Sequence, residues 1–429
     1  MLHKIINTIG TRGISALLTF LITVIISQAL GAAGKGEQAI LLTTIAFVLI
    51  FSDIVSGKTL VYLTPIHAFS ALFLPSYLWS LLVGMFAWGI LLFLPLEIDR
   101  NLLVHVSILA VIASWNGVNI AILMGKEKIK TVNWISLLHP LMMCIVLGVF
   151  YVLLRSKTLY PYIFALYVAY IVCWALGLLA LRKELRTFSF FQSIQYKPAI
   201  KSLFHYGFLN QATYFVSFLN LRLSYYLLEA YFDFQKVGIF SNAIVLTEAI
   251  WLISGSVAVV QYARIANTND GPYAQNITLR LAKACGILSL GALVILSLLP
   301  SSVYVLIFRF EDFSALPQII RLLAPGVLFF SICLIFGHYF SGIGKYHRTL
   351  LCASVGLLFT LALSFILIPR MDVYGAAITT SISFMASTIT AVIIFFRTSK
   401  IPVSKIWITK QDIKEFYADL QGYIKKLRK

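Results

Sequence analysis

Long runs of Leu, Ile, Val, Phe and Ala recur along the whole chain, each bounded by a short polar segment and each long enough to cross a lipid bilayer. At about 20 residues per crossing of a hydrocarbon core about 30 Å thick, the pattern predicts twelve transmembrane helices. They fall near residues 5–30, 38–62, 70–94, 102–124, 131–154, 160–181, 203–228, 237–262, 280–300, 318–342, 349–368 and 375–396. The longest internal polar connection, about residues 183–202, divides the spans six and six. The expected organisation is an all-α membrane protein with an N-terminal lobe (1–182), a cytoplasmic linker (183–202), a C-terminal lobe (203–396) and a tail (397–429).

In that tail, Ile413, Phe416, Tyr417, Leu420, Ile424 and Leu427 share one helical face amid lysines, the pattern of a basic amphipathic helix lying on the inner leaflet. A solvated tail fits the same residues. Lys4 and Arg12 before the apolar run Ile14 to Ile26 resemble the start of a secretory signal, but eleven further spans favour a retained first helix.

Composition agrees with the pattern: of 429 residues 60% are hydrophobic and 12% charged, and the mean hydropathy is +0.91. With both termini on one side, the great majority of the 34 lysines and arginines fall in loops on that side, which the positive-inside rule assigns to the cytoplasm. Acids are spread more evenly, so the formal net charge of +18 is concentrated at the inner surface and points to anionic lipid head groups rather than nucleic acid. The five cysteines, at 144, 173, 285, 333 and 352, all lie in apolar spans without Cys-x-x-Cys spacing and read as packing residues. His139 before Pro140 fits a kink or an interhelical hydrogen bond better than a metal ligand.

Charges inside the spans are the informative exceptions, because each costs about 3 kcal/mol even on insertion scales and so faces a partner or a watery path. Arg12 falls in the first span and Arg222 in the seventh, with Asp53 and Glu248 as the buried acids. An arginine suits a phosphate or diphosphate because its guanidinium stays charged and donates two parallel hydrogen bonds. It equally suits a structural ion pair with Asp53 or Glu248, and Arg12 could simply reach the inner interface. The acids admit proton exchange as a second role. Lys58, near the inner end of the second span, could gather an anion or anchor the helix. Asn210, Gln211 and Asn220 need hydrogen-bonding partners within their span, and Trp251 adds a stacking face; with Tyr214, Tyr225, Asn242 and Gln261 they could line a polar cavity. No nucleotide-binding glycine loop, metal-ligand spacing or large outer loop supports an enzyme.

Several segments resemble the Wzx-type oligosaccharide flippases of the MATE-like exporter superfamily. They are Leu30-Gly31-Ala-Ala-Gly34-Lys-Gly36-Glu37, Ser52-Asp53-Ile-Val-Ser-Gly57, Val237 to Trp251, Leu323-Ala-Pro325-Gly326-Val, Tyr339 to Lys345, Ile368-Pro369-Arg370 and Tyr374-Gly375-Ala-Ala-Ile-Thr-Thr. Their order spans nearly the whole chain. Ser224 stands where the family often has an acid two places after the arginine of the seventh helix, and Gln28 where it often has a basic residue.

The resemblance implies a carrier, with no cofactor, that moves polyprenyl-diphosphate-linked oligosaccharide outward across a bacterial inner membrane by alternating access. An H⁺ or Na⁺ gradient could drive it, and a polysaccharide polymerase with its chain-length machinery would be partners. Rival readings are a MATE-type antiporter of cations or drugs, a peptidoglycan-precursor flippase, and a membrane polymerase or glycosyltransferase. Along their helices Arg12 lies about 10 Å and Arg222 about 28 Å from the inner ends. That suggests successive stations, Arg12 with Lys58 first and Arg222 nearer the outside.

Overall fold

A computed structural model describes residues 2–93, 100–186, 196–268, 270–399 and 401–402. In chain order the helices are α1 (Leu2–Ser52), α2 (Gly57–Leu63), α3 (Phe69–Leu91), α4 (Arg100–Gly125), α5 (Ile129–Leu147), α6 (Tyr160–Ala180) and α7 (Arg182–Arg186). There follow α8 (Tyr196–Tyr231), α9 (Phe234–Glu248), α10 (Trp251–Ala266), α11 (Gly271–Leu298), α12 (Ser301–Phe308), α13 (Leu316–Gly342) and α14 (Tyr346–Thr398). Short 3₁₀ turns at Asp53–Val55 and Glu311–Ala315 interrupt the sequence of helices, and α5 runs on into a π-helical turn at Gly148–Leu153.

Among the described residues, eight helices pass a length-and-apolarity test for membrane crossing, or nine if the bent pair α9 and α10 forms one span. Two of the eight, α1 with 51 residues and α14 with 53, are more than twice the length one crossing needs. Each breaks once. α1 leaves helical geometry at Gly31 (φ 69°) and α14 at Asp372 (φ 44°), so each supplies two crossings. Glycine suits the break at Gly31, because a left-handed φ of 69° is strained for any side chain. α8 has the length to cross but fails on apolarity, because Asn220, Arg222 and their polar neighbours interrupt it. With α8 included the twelve expected crossings are accounted for.

By packing, the chain forms two compact units: Met1–Asn242 with Ser301–Leu316, and Ala243–Pro300 with Pro317–Lys429. The division falls at Asn242, not at the polar linker, because α8 and the first turns of α9 pack on α1 and on the Asp53–Val55 turn. Lipid tails give helices no hydrophobic reason to associate, so close backbone approach and polar pairs must hold them.

Both devices appear in the first unit. Gly36 of α1 and Gly238 of α9 cross in reciprocal contact: a Cβ on Gly36 would fall 1.7 Å from the carbonyl oxygen of Phe234, and one on Gly238 would fall 1.8 Å from that of Ala32. The same crossing is tied by Asn242, whose amide donates to the Ser27 hydroxyl at 2.9 Å. Further along, the Tyr77 hydroxyl donates to Asn119 (2.8 Å) and accepts from the Trp174 indole (3.1 Å), while the Trp115 indole donates to the Tyr77 carbonyl (3.2 Å). This knot joins α3, α4 and α6. The second unit uses the same means. Gly326, after the helix-interrupting Pro325, donates its backbone N–H to Ser381 Oγ at 2.8 Å, and Phe336, Tyr339 and Phe395 cluster with ring centroids about 5 Å apart.

Candidate substrate-binding site

One tier of polar residues forms where the second crossing ends. The 3₁₀ turn Asp53–Val55 redirects the chain, and the Asp53 carboxylate and Ser56 hydroxyl both face Gly117, 3.9 and 3.6 Å from its Cβ position. α8 lies against this turn through Gly207, Gln211 and Tyr214, which share a face at i, i+4 and i+7 spacing. The Gly207 backbone abuts Ile54, the Gln211 amide donates to the Asp53 carbonyl at 3.1 Å, and the Lys58 ammonium sits 5.3 Å from the centre of the Tyr214 ring. Lys58 is exposed, so this tier presents a cation and an aromatic face to a solvent- or head-group-accessible region.

A second tier lies farther along the same helix, Arg222 being about 12 Å beyond Tyr214 at 1.5 Å per residue. Here the guanidinium of Arg222 stacks over the Tyr225 ring at 5.3 Å, with Nη1 3.5 Å from the Tyr225 hydroxyl, and Tyr225 in turn packs edge-on against Phe240 of α9. Across from it, Lys35 is only 4% exposed. Its ammonium donates to Gln38 Oε1, and Gln38 donates to the Tyr162 hydroxyl at 2.9 Å. Arg222, half-buried, lies within electrostatic reach of the buried Lys35, so two basic side chains share this region. Tyr226, hydrogen-bonded to Thr44 at 3.1 Å, and the buried Glu229 continue the polar face of α8.

The sequence-derived candidates divide accordingly. Gln211, Lys58 and Asp53 come together in the first tier. Arg222 anchors the second, with Asn220 buried on the same helix. Glu248 and Trp251 belong to the second unit; Glu248 is half-buried, and the Trp251 indole donates to the Val327 carbonyl at 3.1 Å between the rings of Phe330 and Phe384. The side chains of Arg12 and Asn210, the amphipathic stretch from 403 onward and residues 187–195 of the linker lie outside the described residues.

Two charges that fall between the predicted spans prove to be buried. Lys35, in the turn of the first hairpin, and Glu229, near the end of the seventh span, are each 4% exposed. The hairpin is not a loop at all, because helix resumes immediately after Gly31 and carries Lys35 inward in its first turn. The signal was present: Lys35 and Gln38 are three apart, hence on one helical face, and both precede a long apolar run.

No protein-family profile and no curated protein matches the chain in sequence. Solved structures do match in shape. Lipid II flippase MurJ in an inward closed conformation superposes with a TM-score of 0.75 at 15% identity, over 92% of this chain and 88% of that one. An inward-facing multidrug resistance MATE family transporter of the MOP superfamily gives 0.71 at 14% identity, over 91% and 95%. A MOP superfamily transporter from Pyrococcus furiosus, described as having a binding pocket of reverse polarity, gives 0.61 at 14% identity, over 94% and 95%. The chain therefore has the all-helical, two-lobe, multi-pass membrane fold that these transporters share.

Proposed function

We propose that the protein is a transporter that flips polyprenyl-diphosphate-linked oligosaccharide from the inner to the outer leaflet of a bacterial inner membrane, supplying O-antigen, capsule or exopolysaccharide synthesis. The observation that carries this reading is the pair Lys35 and Arg222. Lys35, whose side-chain nitrogen donates to Gln38, and Arg222 stand within electrostatic reach of each other inside the helix bundle, and an anion with several oxygens can accept hydrogen bonds from both. A diphosphate has that chemistry. A cationic drug does not.

In this reading the head group enters at the cytoplasmic tier. Lys58, with Arg12 on the first helix, draws the diphosphate in, while Tyr214 and Gln211 offer a stacking face and an amide to the first sugars. The two lobes then rock, and the diphosphate passes along α8 to Arg222 and Lys35. Asn220 and the Tyr225 and Tyr226 hydroxyls can take over hydrogen bonds that the sugars lose with water, and the polyprenyl tail stays in lipid. No cofactor is involved. An inside-negative potential favours outward passage of an anion by about 2.3 kcal/mol per charge per 100 mV. Asp53 and Glu248 are the carboxylates placed to couple an H⁺ or Na⁺ gradient. The emptied cycle would hand its cargo to a polysaccharide polymerase and its chain-length machinery.

A second reading, cation antiport of the MATE type, is favoured by the buried Glu229 and by Asp53. Replacing Arg222 and Lys35 separately by alanine and by the other basic residue separates the two. Loss of surface polysaccharide with inner-leaflet lipid-linked oligosaccharide accumulating, at normal protein abundance, supports the flippase. Undiminished polysaccharide in all four variants refutes it.

A further inference from the structure

A cavity past the end of α2, lined by none of the residues of either tier, has the chemistry of a phospholipid head-group site. It measures about 120 Å³ and is lined by Thr64, His67, Phe69, Leu72, Ile122 and Lys126. Its walls come from helix ends: α2 closes just before Thr64, α3 opens at Phe69, and α4 ends at Gly125, immediately before Lys126. The cavity thus sits where hydrocarbon gives way to the head-group layer, on the face that the charge bias assigns to the cytoplasm.

Its lining is divided. Lys126, His67 and the Thr64 hydroxyl form a polar side, and Phe69, Leu72 and Ile122 an apolar one. A soluble anion has no use for the apolar wall, and an acyl chain has none for the ammonium and imidazole. A glycerophosphate at the base of its acyl chains satisfies both. The volume corresponds to about four waters at roughly 30 Å³ each, enough for one phosphodiester but well below the roughly 300 Å³ at which small-molecule pockets begin, so a sugar-bearing diphosphate does not fit. Tyr62 and Ile66, the sequence neighbours of Thr64 and His67, are 56% and 57% exposed and offer apolar surface to acyl chains. Charge favours an acidic lipid: Lys130 follows four residues on, Lys128 shares the Glu184 carboxylate with Lys126, and α3 directs the positive end of its dipole toward Phe69. Lys126 is fixed in place by the Glu184 carboxylate at 2.9 Å, with its side chain still 31% exposed.

We propose that this cavity binds the phosphate of one anionic inner-leaflet phospholipid, of the phosphatidylglycerol class, and that the lipid pins the turn between α2 and α3 to the end of α4. The test is native mass spectrometry of the full chain released from nanodiscs of phosphatidylglycerol, of phosphatidylcholine, or of phosphatidylcholine with added inorganic phosphate. The expected result is one phosphatidylglycerol retained per chain, no retained phosphatidylcholine, and no protection by inorganic phosphate. His67→Glu and Lys126→Met should each lower retention about tenfold, the loss expected for one charge-assisted contact. Glu184→Gln, which breaks the same ion pair but keeps the Lys126 ammonium, should retain the lipid and so separates binding from folding. Equal retention of both lipids, protection by inorganic phosphate alone, or unchanged retention in His67→Glu overturns the proposal.

Discussion

Replacing Gly238 by alanine should open the end of the first unit that faces outward. The new methyl carbon would lie 1.8 Å from the Ala32 carbonyl oxygen and 2.9 Å from the Gly36 nitrogen. A carbon rests no closer than about 3.3 Å to a carbonyl oxygen even in a favourable contact, so the helices must part by about 1.5 Å. No flexible side chain can absorb that, because both obstructing atoms are backbone. Adding a methyl group to a packed contact typically costs about 1–3 kcal/mol. Because that cost falls on the closed crossing alone, it shifts the balance toward a parted one by roughly 5- to 150-fold. Ser241, 2% exposed one turn further along α9, reports the change. With the five native cysteines replaced by alanine, Ser241→Cys should resist a membrane-impermeant maleimide added from outside, and should react once Gly238→Ala is introduced. Gly148→Ala, whose new methyl meets nothing within 4 Å, should leave labelling unchanged. Equal labelling with and without Gly238→Ala, at equal abundance, would refute the idea that this crossing is a seal.

Two further outcomes concern stability. Asn119→Ala removes the acceptor of the Tyr77 hydroxyl and the donor to the Trp174 carbonyl, leaving buried groups unsatisfied at about 1–3 kcal/mol each; the thermal midpoint in detergent should fall by several degrees, and an unchanged midpoint would show that the knot is not structural. Burial works to raise the Glu184 carboxyl, but hydrogen bonds and charge from Lys126, with help from Lys128, outweigh it and hold it below the ordinary glutamate value of 4.5. Because the folded value is the lower one, the clasp stabilises fully above the ordinary range and is lost as pH falls below it through the lowered value. Glu184→Gln should therefore lower the midpoint at pH 7, by the equivalent of about 0.2–1 kcal/mol, and the difference should shrink as the pH falls below the ordinary glutamate range.

The crossings were legible because each must hide its backbone polar groups inside a helix, which imposes length and apolarity on the sequence. α8 was legible for the same reason despite Arg222. What could not be read was how the chain turns between crossings. At Gly31 and Asp372 one helix gives way to the next at a single non-helical residue, with no polar loop between them, so Lys35 looked like a surface charge when its helical turn carries it inward. The pairing of distant polar residues was equally silent. Nothing near Gln211 names the Asp53 carbonyl as its acceptor, and nothing near Gln38 names Tyr162, 124 positions away. Trp251 shows the converse: it was legible as an aromatic in a span, but only packing reveals that its N–H serves Val327.

The central claim is that this chain moves a lipid-linked, sugar-bearing diphosphate. Purified protein reconstituted into liposomes with a fluorescent polyprenyl-diphosphate oligosaccharide tests it most directly, with transbilayer movement read by quenching from one side. Wild-type protein should bring the inner and outer pools to equilibrium, while protein-free liposomes and the Arg222→Ala variant should not. Failure of the wild-type protein to move this lipid, together with proton-coupled movement of an organic cation in the same vesicles, would contradict it.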